Sequence, residues 1–137
     1  MLIKKALLSL IVGSLLAVIT PVSVQAQGEL TIVASSTQVQ FPGSIVFNLS
    51  AKSKTNITDV RLHYRVEQRR FAEVTSEAYV DIVPSATVSA RWTWDMRKTG
   101  GLPPGTIVHY WWTVKDDQDN KVKTSPATIQ FNDNRYS

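Results

Sequence analysis

The sequence predicts an all-β fold on three observations. Apolar and polar residues alternate with a period of two from Leu30 to Phe131, no segment repeats its apolar positions at the helical spacing of three and four, and turn residues interrupt the chain at short intervals. A period of two sends successive side chains to opposite faces of a strand, so each sheet has an apolar face that a second layer must cover. About seven short antiparallel strands of this kind predict a β-sandwich of the immunoglobulin or fibronectin type III kind, with a barrel as the lesser alternative.

The first 26 residues stand outside that pattern. Lys4 and Lys5 give a positive start, Ala6 to Ile19 run almost wholly apolar, Pro21 breaks the run, and Val24-Gln25-Ala26 supplies the small residues of a signal-peptidase site. The run is shorter than the roughly 20 residues of a membrane span. The expectation is a signal-peptide helix over residues 1–26 and one exported, extracytoplasmic domain over 27–137; the other reading of the run is an uncleaved anchor helix. Cleavage after Ala26 leaves 111 residues, enough for a single core.

The leader also takes two of the 15 basic residues, leaving 13 against 11 acids and a net charge of +2. So small an excess does not predict a nucleic-acid footprint, which needs Lys and Arg clustered on one face. With no cysteine in the chain, neither a lipidated N-terminus nor a disulfide is available, and burial alone must hold the domain. Export without disulfides favours a bacterial route.

Each expected strand has its own pattern. Leu30 to Ser35 is the first, with Leu30, Ile32 and Ala34 on one face, and Phe41-Pro42-Gly43 is the turn that follows. Ser44 to Ser50 points Ile45, Phe47 and Leu49 inward and Val46 and Asn48 outward; Lys52 to Asn56 is polar and reads as a loop. In Val60 to Val66 the apolar Val60, Leu62, Tyr64 and Val66 alternate with Arg61, His63 and Arg65. Phe71 to Val83 is less regular, with Ala78, Val80 and Ile82 inward, and Pro84 closes it. Val88, Ala90, Trp92 and Trp94 share a face of the next strand.

Gly100 to Gly105 holds three Gly and two Pro and cannot continue a strand. Val108, Tyr110, Trp112 and Val114 then alternate with His109, Trp111, Thr113 and Lys115, bulky on both faces, as a strand in the middle of a sheet should be. Asp116 to Asn120 is a polar turn in which Asn120 is expected to take the left-handed conformation. Lys121 to Thr124 returns antiparallel, Pro126 interrupts, and Thr128 to Phe131 is last.

Of the four Trp, three fall on inward faces and read as core: Trp92, Trp94 and Trp112. Trp111 points the other way and is expected to be exposed or covered by another domain. In the immunoglobulin-like strand order Val60–Val66 lies beside Val108–Val114, which gathers Arg61, His63, Arg65, His109 and Trp111 on one outward strip suited to an acidic partner or a neighbouring domain. The plainer reading is a solvated face with arginine stems over the indole. An exposed Trp111 near the Gly-Pro loop also admits glycan binding.

Catalytic and metal chemistry find little support. Two His with no HExxH and no Cys do not make a zinc site, and Lys121 stands where a calcium loop around Asp116, Asp117 and Asp119 needs an oxygen. No Gly-x-Ser-x-Gly elbow or phosphate loop occurs, and the scattered acids specify no carboxylate pair. The expectation is no cofactor, no metal and no enzyme activity. Asn48-Leu49-Ser50 and Asn56-Ile57-Thr58 match the glycosylation pattern, which matters only in a eukaryotic secretory route.

One combination is familiar. Trp94-Asp95, Gly100-Gly101-Leu102-Pro103-Pro104-Gly105-Thr106, Val108, Tyr110-Trp111-Trp112, Val114, Asp116, Asn120, Thr124, Pro126, Phe131 and Asp133-Asn134-Arg135 resemble the N-terminal β-sandwich module of secreted bacterial metallopeptidase-like proteins of the MA (gluzincin) group, common in Chloroflexota. In that family the module precedes a zinc peptidase domain carrying HExxH. This sequence has no such motif, so the resemblance carries over no catalytic residue and implies an accessory or spacer module.

Overall fold

The computed structural model describes residues 26–27, 29–68 and 72–133. The expected leader falls outside them apart from Ala26, as do Phe71, Asn134 and Arg135. The strands are β1 (Ala26–Gln27), β2 (Leu30–Gln40), β3 (Ser44–Val66), β4 (Thr75–Tyr79), β5 (Ser85–Asp95), β6 (Thr106–Asp116), β7 (Lys121–Lys123) and β8 (Ala127–Phe131), with one helical turn, α1 (Met96–Thr99), after β5. Among the described residues every strand pairing is antiparallel.

The fold is organised by β3, which serves both layers of a curled sheet. Its first half, Ser44 to Lys52, lies between β2 and β5. Its second half, Asp59 to Val66, pairs with β6, and Arg61 to Arg65 within it pair with β4. Register shifts between Lys52 and Ile57 and between Ile57 and Asp59 mark where the strand bends from one layer to the other. Outside them β6 carries β7 and β8. The architecture is thus all-β and sandwich-like, as the alternation predicts.

Between the layers lies a core built from Ile45, Phe47, Leu49, Ala51, Val60, Leu62, Val88, Ala90, Trp94, Val108, Tyr110, Trp112 and Val114, all buried. Aromatic rings join the halves. Phe47 meets Tyr110 edge-on at 5.2 Å, and Tyr64 lies 5.3 Å from Trp92 and 4.8 Å from Trp94 between ring centroids. Trp112 and Trp94 are buried as expected, and Trp92 is half-buried against the core.

Several local expectations are corrected. The polar stretch from Lys52 to Asn56 is not a loop but part of β3, because pairing holds the chain on both sides of it, Lys52 against β2 and β5 and Ile57 against β5 and β6, and the Asn56 carbonyl accepts from the Asp117 N–H at 2.9 Å. The first strand extends beyond Ser35 to Gln40. A register shift between Ile32 and Ala34 turns Ala34 out to solvent, and the inward positions resume at Thr37 and Val39. Val46 does alternate away from the core cluster, yet it is only 1 % exposed, since it sits on a central strand with Gln38 and Thr93 directly across on either side.

A helical turn was not expected at Met96–Thr99. Asp95 nucleates it by accepting from the Arg97 N–H at 3.0 Å, and Gly100 ends it at φ +85°. In the β6–β7 turn the left-handed residue is Asp119, φ 62°, and not Asn120. Asn120 instead donates twice to Asp116, from its backbone N–H and its side-chain amide, both at 3.0 Å.

Candidate binding face

The outward side of the β4–β3–β6–β7 layer brings together all five residues singled out in the sequence. Register sets His63 opposite Trp111, Arg65 opposite His109 and Arg61 opposite Thr113. On the other flank β4 sets Tyr79 against Arg61, Glu77 against His63 and Thr75 against Arg65. Lys123 of β7 lies across from Thr113. Alternation along four strands is what makes these residues neighbours.

The strip is not simply basic. Arg61 makes a two-pronged bond to Asp59, Nε to Oδ1 at 2.9 Å and Nη2 to Oδ2 at 3.0 Å, while its Nη1 donates to Glu77 at 2.9 Å. Those bonds, with Asp59 first, hold its pKa above the ordinary guanidinium value against the cost of desolvation. The guanidinium also lies 4.4 Å from the centre of the Tyr79 ring. Arg65 Nη1 pairs with Glu73 at 3.1 Å, His109 Nε2 lies 3.4 Å from Glu67, and Lys115 Nζ reaches Asp119 at 3.1 Å. The face carries a carboxylate beside each of these basic side chains, so it does not select an acidic partner by net charge.

At its centre the His63 and Trp111 rings stack at 5.4 Å with 2° between their planes. Lys123 Nζ stands 5.2 Å from the centre of the same indole. Trp111 is therefore half-buried within this chain and dressed by imidazole and ammonium; the sequence predicts it exposed or covered by another domain, with arginine stems over it in the plainer reading. His63 Nε2 lies 2.9 Å from Thr113 Oγ1 and its Nδ1 3.6 Å from Glu77. Burial lowers the His63 pKa below 6.5; Glu77 pulls it up, and Arg61, Lys121 and Lys123 push it further down. The net shift favours the neutral ring.

Beside this pair runs an open groove of about 490 Å³ lined by Asp59, Arg61, His63, Glu77, Thr113, Val114, Lys115, Asp119 and Lys121. Its walls offer planar hydrogen-bonding groups of both charge signs fixed by their own ion pairs. The two His take different carboxylates, and among the described residues no three His, Cys, Asp or Glu come together as a metal site. Asp116, at the groove's end of the sheet, is 1 % exposed, and both its oxygens are taken by donors from Ser53, Gln118 and Asn120. It braces the turn and has no lone pair left aimed at a cation.

Sequence reasoning found the basic and aromatic half of this face and missed the acidic half. Asp59 was within reach, since it stands two residues before Arg61 and a strand places such residues on one face. Glu73 and Glu77 were not, because their approach depends on the register of β4 against β3.

No protein-family model matches the sequence, and no curated protein matches it. Among solved structures, wild type OgpA from Akkermansia muciniphila is similar with a TM-score of 0.54 at 8 % identity, over 77 % of this chain and 28 % of that one. Catalytic inactive OgpA in complex with an O-glycopeptide (glycodrosocin) substrate gives 0.52 at 9 % identity, over 77 % and 29 %. BhCBM56 is less similar, with a TM-score of 0.45 at 11 % identity over 78 % of this chain and 97 % of that one. The chain spans less than a third of the length of OgpA, and at these identities the likeness to it is one of fold alone.

Proposed function

We propose that this chain is a non-catalytic, exported β-sandwich module that engages a partner protein or neighbouring domain through the outward face of β3, β4, β6 and β7. The observation that carries the reading is the stacked His63–Trp111 pair set among fixed ion pairs beside the groove. Half-buried aromatic and arginine side chains already held in place lose little entropy on binding, and such residues dominate interface energetics. The resemblance to a module that precedes a metallopeptidase-like domain agrees with an accessory role, and so does the place of a similar fold within the longer OgpA chain.

The test is a photoactivated crosslinker placed at Thr113 on this face and, as a control, at Ser89 on the outward side of β5, in the native host. The expected result is one partner, identified by mass spectrometry, linked from Thr113 only and lost in Trp111→Ala and Arg61→Ala. Equal labelling from the two positions, or none, overturns the proposal. Assays of the purified chain against peptide and glycoside substrates are expected to show no hydrolysis.

A second reading, glycan binding, is favoured by the groove lining, where carboxylates, a guanidinium and a neutral imidazole suit the hydroxyl groups of a sugar. A glycan array comparing the wild type with Trp111→Ala decides it: no sugar bound by either form removes this reading.

A further inference from the structure

The opposite layer has a different surface, and it supports a separate conclusion. From Leu30 to Ala51 the chain runs 22 residues without a charged side chain, although 19 % of the whole sequence is charged. That stretch is β2, its turn and the first half of β3. Strand β2 pairs with β3 along one side, while on its other side β1 covers only Leu30 and Thr31. Among the described residues nothing pairs with the outer edge from Ala34 to Gln40. Open edges are normally guarded by Lys, Pro, a bulge or a covering element. Along Ala34 to Gln40 there is no Lys, no Pro and, among the described residues, no cover; the β2 register shift lies just before it, where Val33 is 54 % exposed.

We propose that this edge is a self-association site, at which β2 of a second copy adds antiparallel to β2 and joins the two β2–β3–β5 layers into one sheet. The residues themselves argue for a second copy. A two-fold axis through Ser36 sets Ser35 opposite Thr37 and Ala34 opposite Gln38, and brings Val33, at the register shift before Ala34, toward Val39. Hydroxyl thus meets hydroxyl at the inner pair, a favourable cross-strand combination, and the two apolar ends of the segment lie near each other. Any charge close to such an axis would face its own copy, so an uncharged strand is what self-pairing requires. Isologous pairing also caps both open edges at once and leaves the Trp111 face, on the other layer, free for its own partner.

The experiment is sedimentation equilibrium on the purified full chain in three forms: wild type, Ser36→Lys and Ser36→Glu. Ser36 is exposed, so either substitution leaves the fold intact, which circular dichroism checks. The wild type is expected to dimerise, and each charged variant to dissociate at least about tenfold more readily, because two like charges meet at the axis. An equimolar mixture of the two variants is expected to restore the dimer. A wild type that stays monomeric, a dimer indifferent to Ser36→Lys, or a mixture that fails to reassociate overturns the proposal. An edge that instead takes up an unrelated strand-forming peptide, with no self-association, does so too.

Discussion

Two side chains show how the surroundings decide what a residue type does. Asp116 looks like any turn aspartate, yet it is buried and receives hydrogen bonds from Ser53 Oγ, the Gln118 and Asn120 backbone N–H groups and the Asn120 amide. Burial raises its pKa, but the bonds from Asn120, Ser53 and Gln118 outweigh that, and the net shift is below 3.8. Asp116→Ala strips the acceptor from all of them and is expected to cost about 3 kcal/mol in urea unfolding. His63 also has a lowered pKa, here because burial disfavours the imidazolium. The unfolded chain therefore binds the proton more readily than the folded one. His63 should thus contribute full stability above pH 6.5, lost progressively as pH falls from there through its folded pKa. Comparison of wild type with His63→Gln by thermal unfolding at pH 7.5 and 5.0 is expected to show a smaller acid loss in the variant. Equal losses would mean that this ring is not the sensitive group. The further loss from Asp116 develops as pH falls through the unfolded value of 3.8 and on through its lower folded pKa, because the unfolded form takes the proton first.

Strands and loops are set by backbone demands that single side chains do not reveal. The segment after α1 turns back through Gly100 and Gly101 at φ +85° and +76°, with open space where a Cβ would stand. Alanine there meets no neighbour, so the cost is purely conformational. Gly100→Ala and Gly101→Ala are each expected to lose about 1 kcal/mol in chemical denaturation. Gly43, in the β2–β3 turn, does not have a positive φ, and a Cβ would lie 3.7 Å from the Gln40 carbonyl oxygen. Gly43→Ala is expected to stay within about 0.5 kcal/mol of the wild type. The stretch from Lys52 to Asn56 makes the same point about strands. It looks polar enough for a loop, but the pairing of β3 with β5 on one side and with β6 on the other keeps it extended across the bend.

At the scale of the molecule, sharing β3 between layers couples them, since neither half of the sandwich keeps its partners if the strand lets go. Unfolding is expected to be a single transition. Trp92 and Trp94 on β5 report one layer, Trp111 and Trp112 on β6 the other. Denaturation curves from Trp92→Phe/Trp94→Phe and Trp111→Phe/Trp112→Phe proteins, each read by fluorescence and by far-ultraviolet circular dichroism, should coincide within each protein; a split within either would refute the coupling. Sequence by itself determined the fold class, the inward row Val108, Tyr110, Trp112, Val114 and the five side chains that share the outward strip, because alternation is a local property and the backbone obeys it wherever strands form. Only the tertiary structure decided that carboxylates from β4 and the chain beside it neutralise that strip, that Val46 is covered, and that Asp119, not Asn120, turns left-handed. The first two depend on register between strands, which is fixed by what the layers can bury together, and the third on Asp116 accepting from the Asn120 N–H and amide once it is buried.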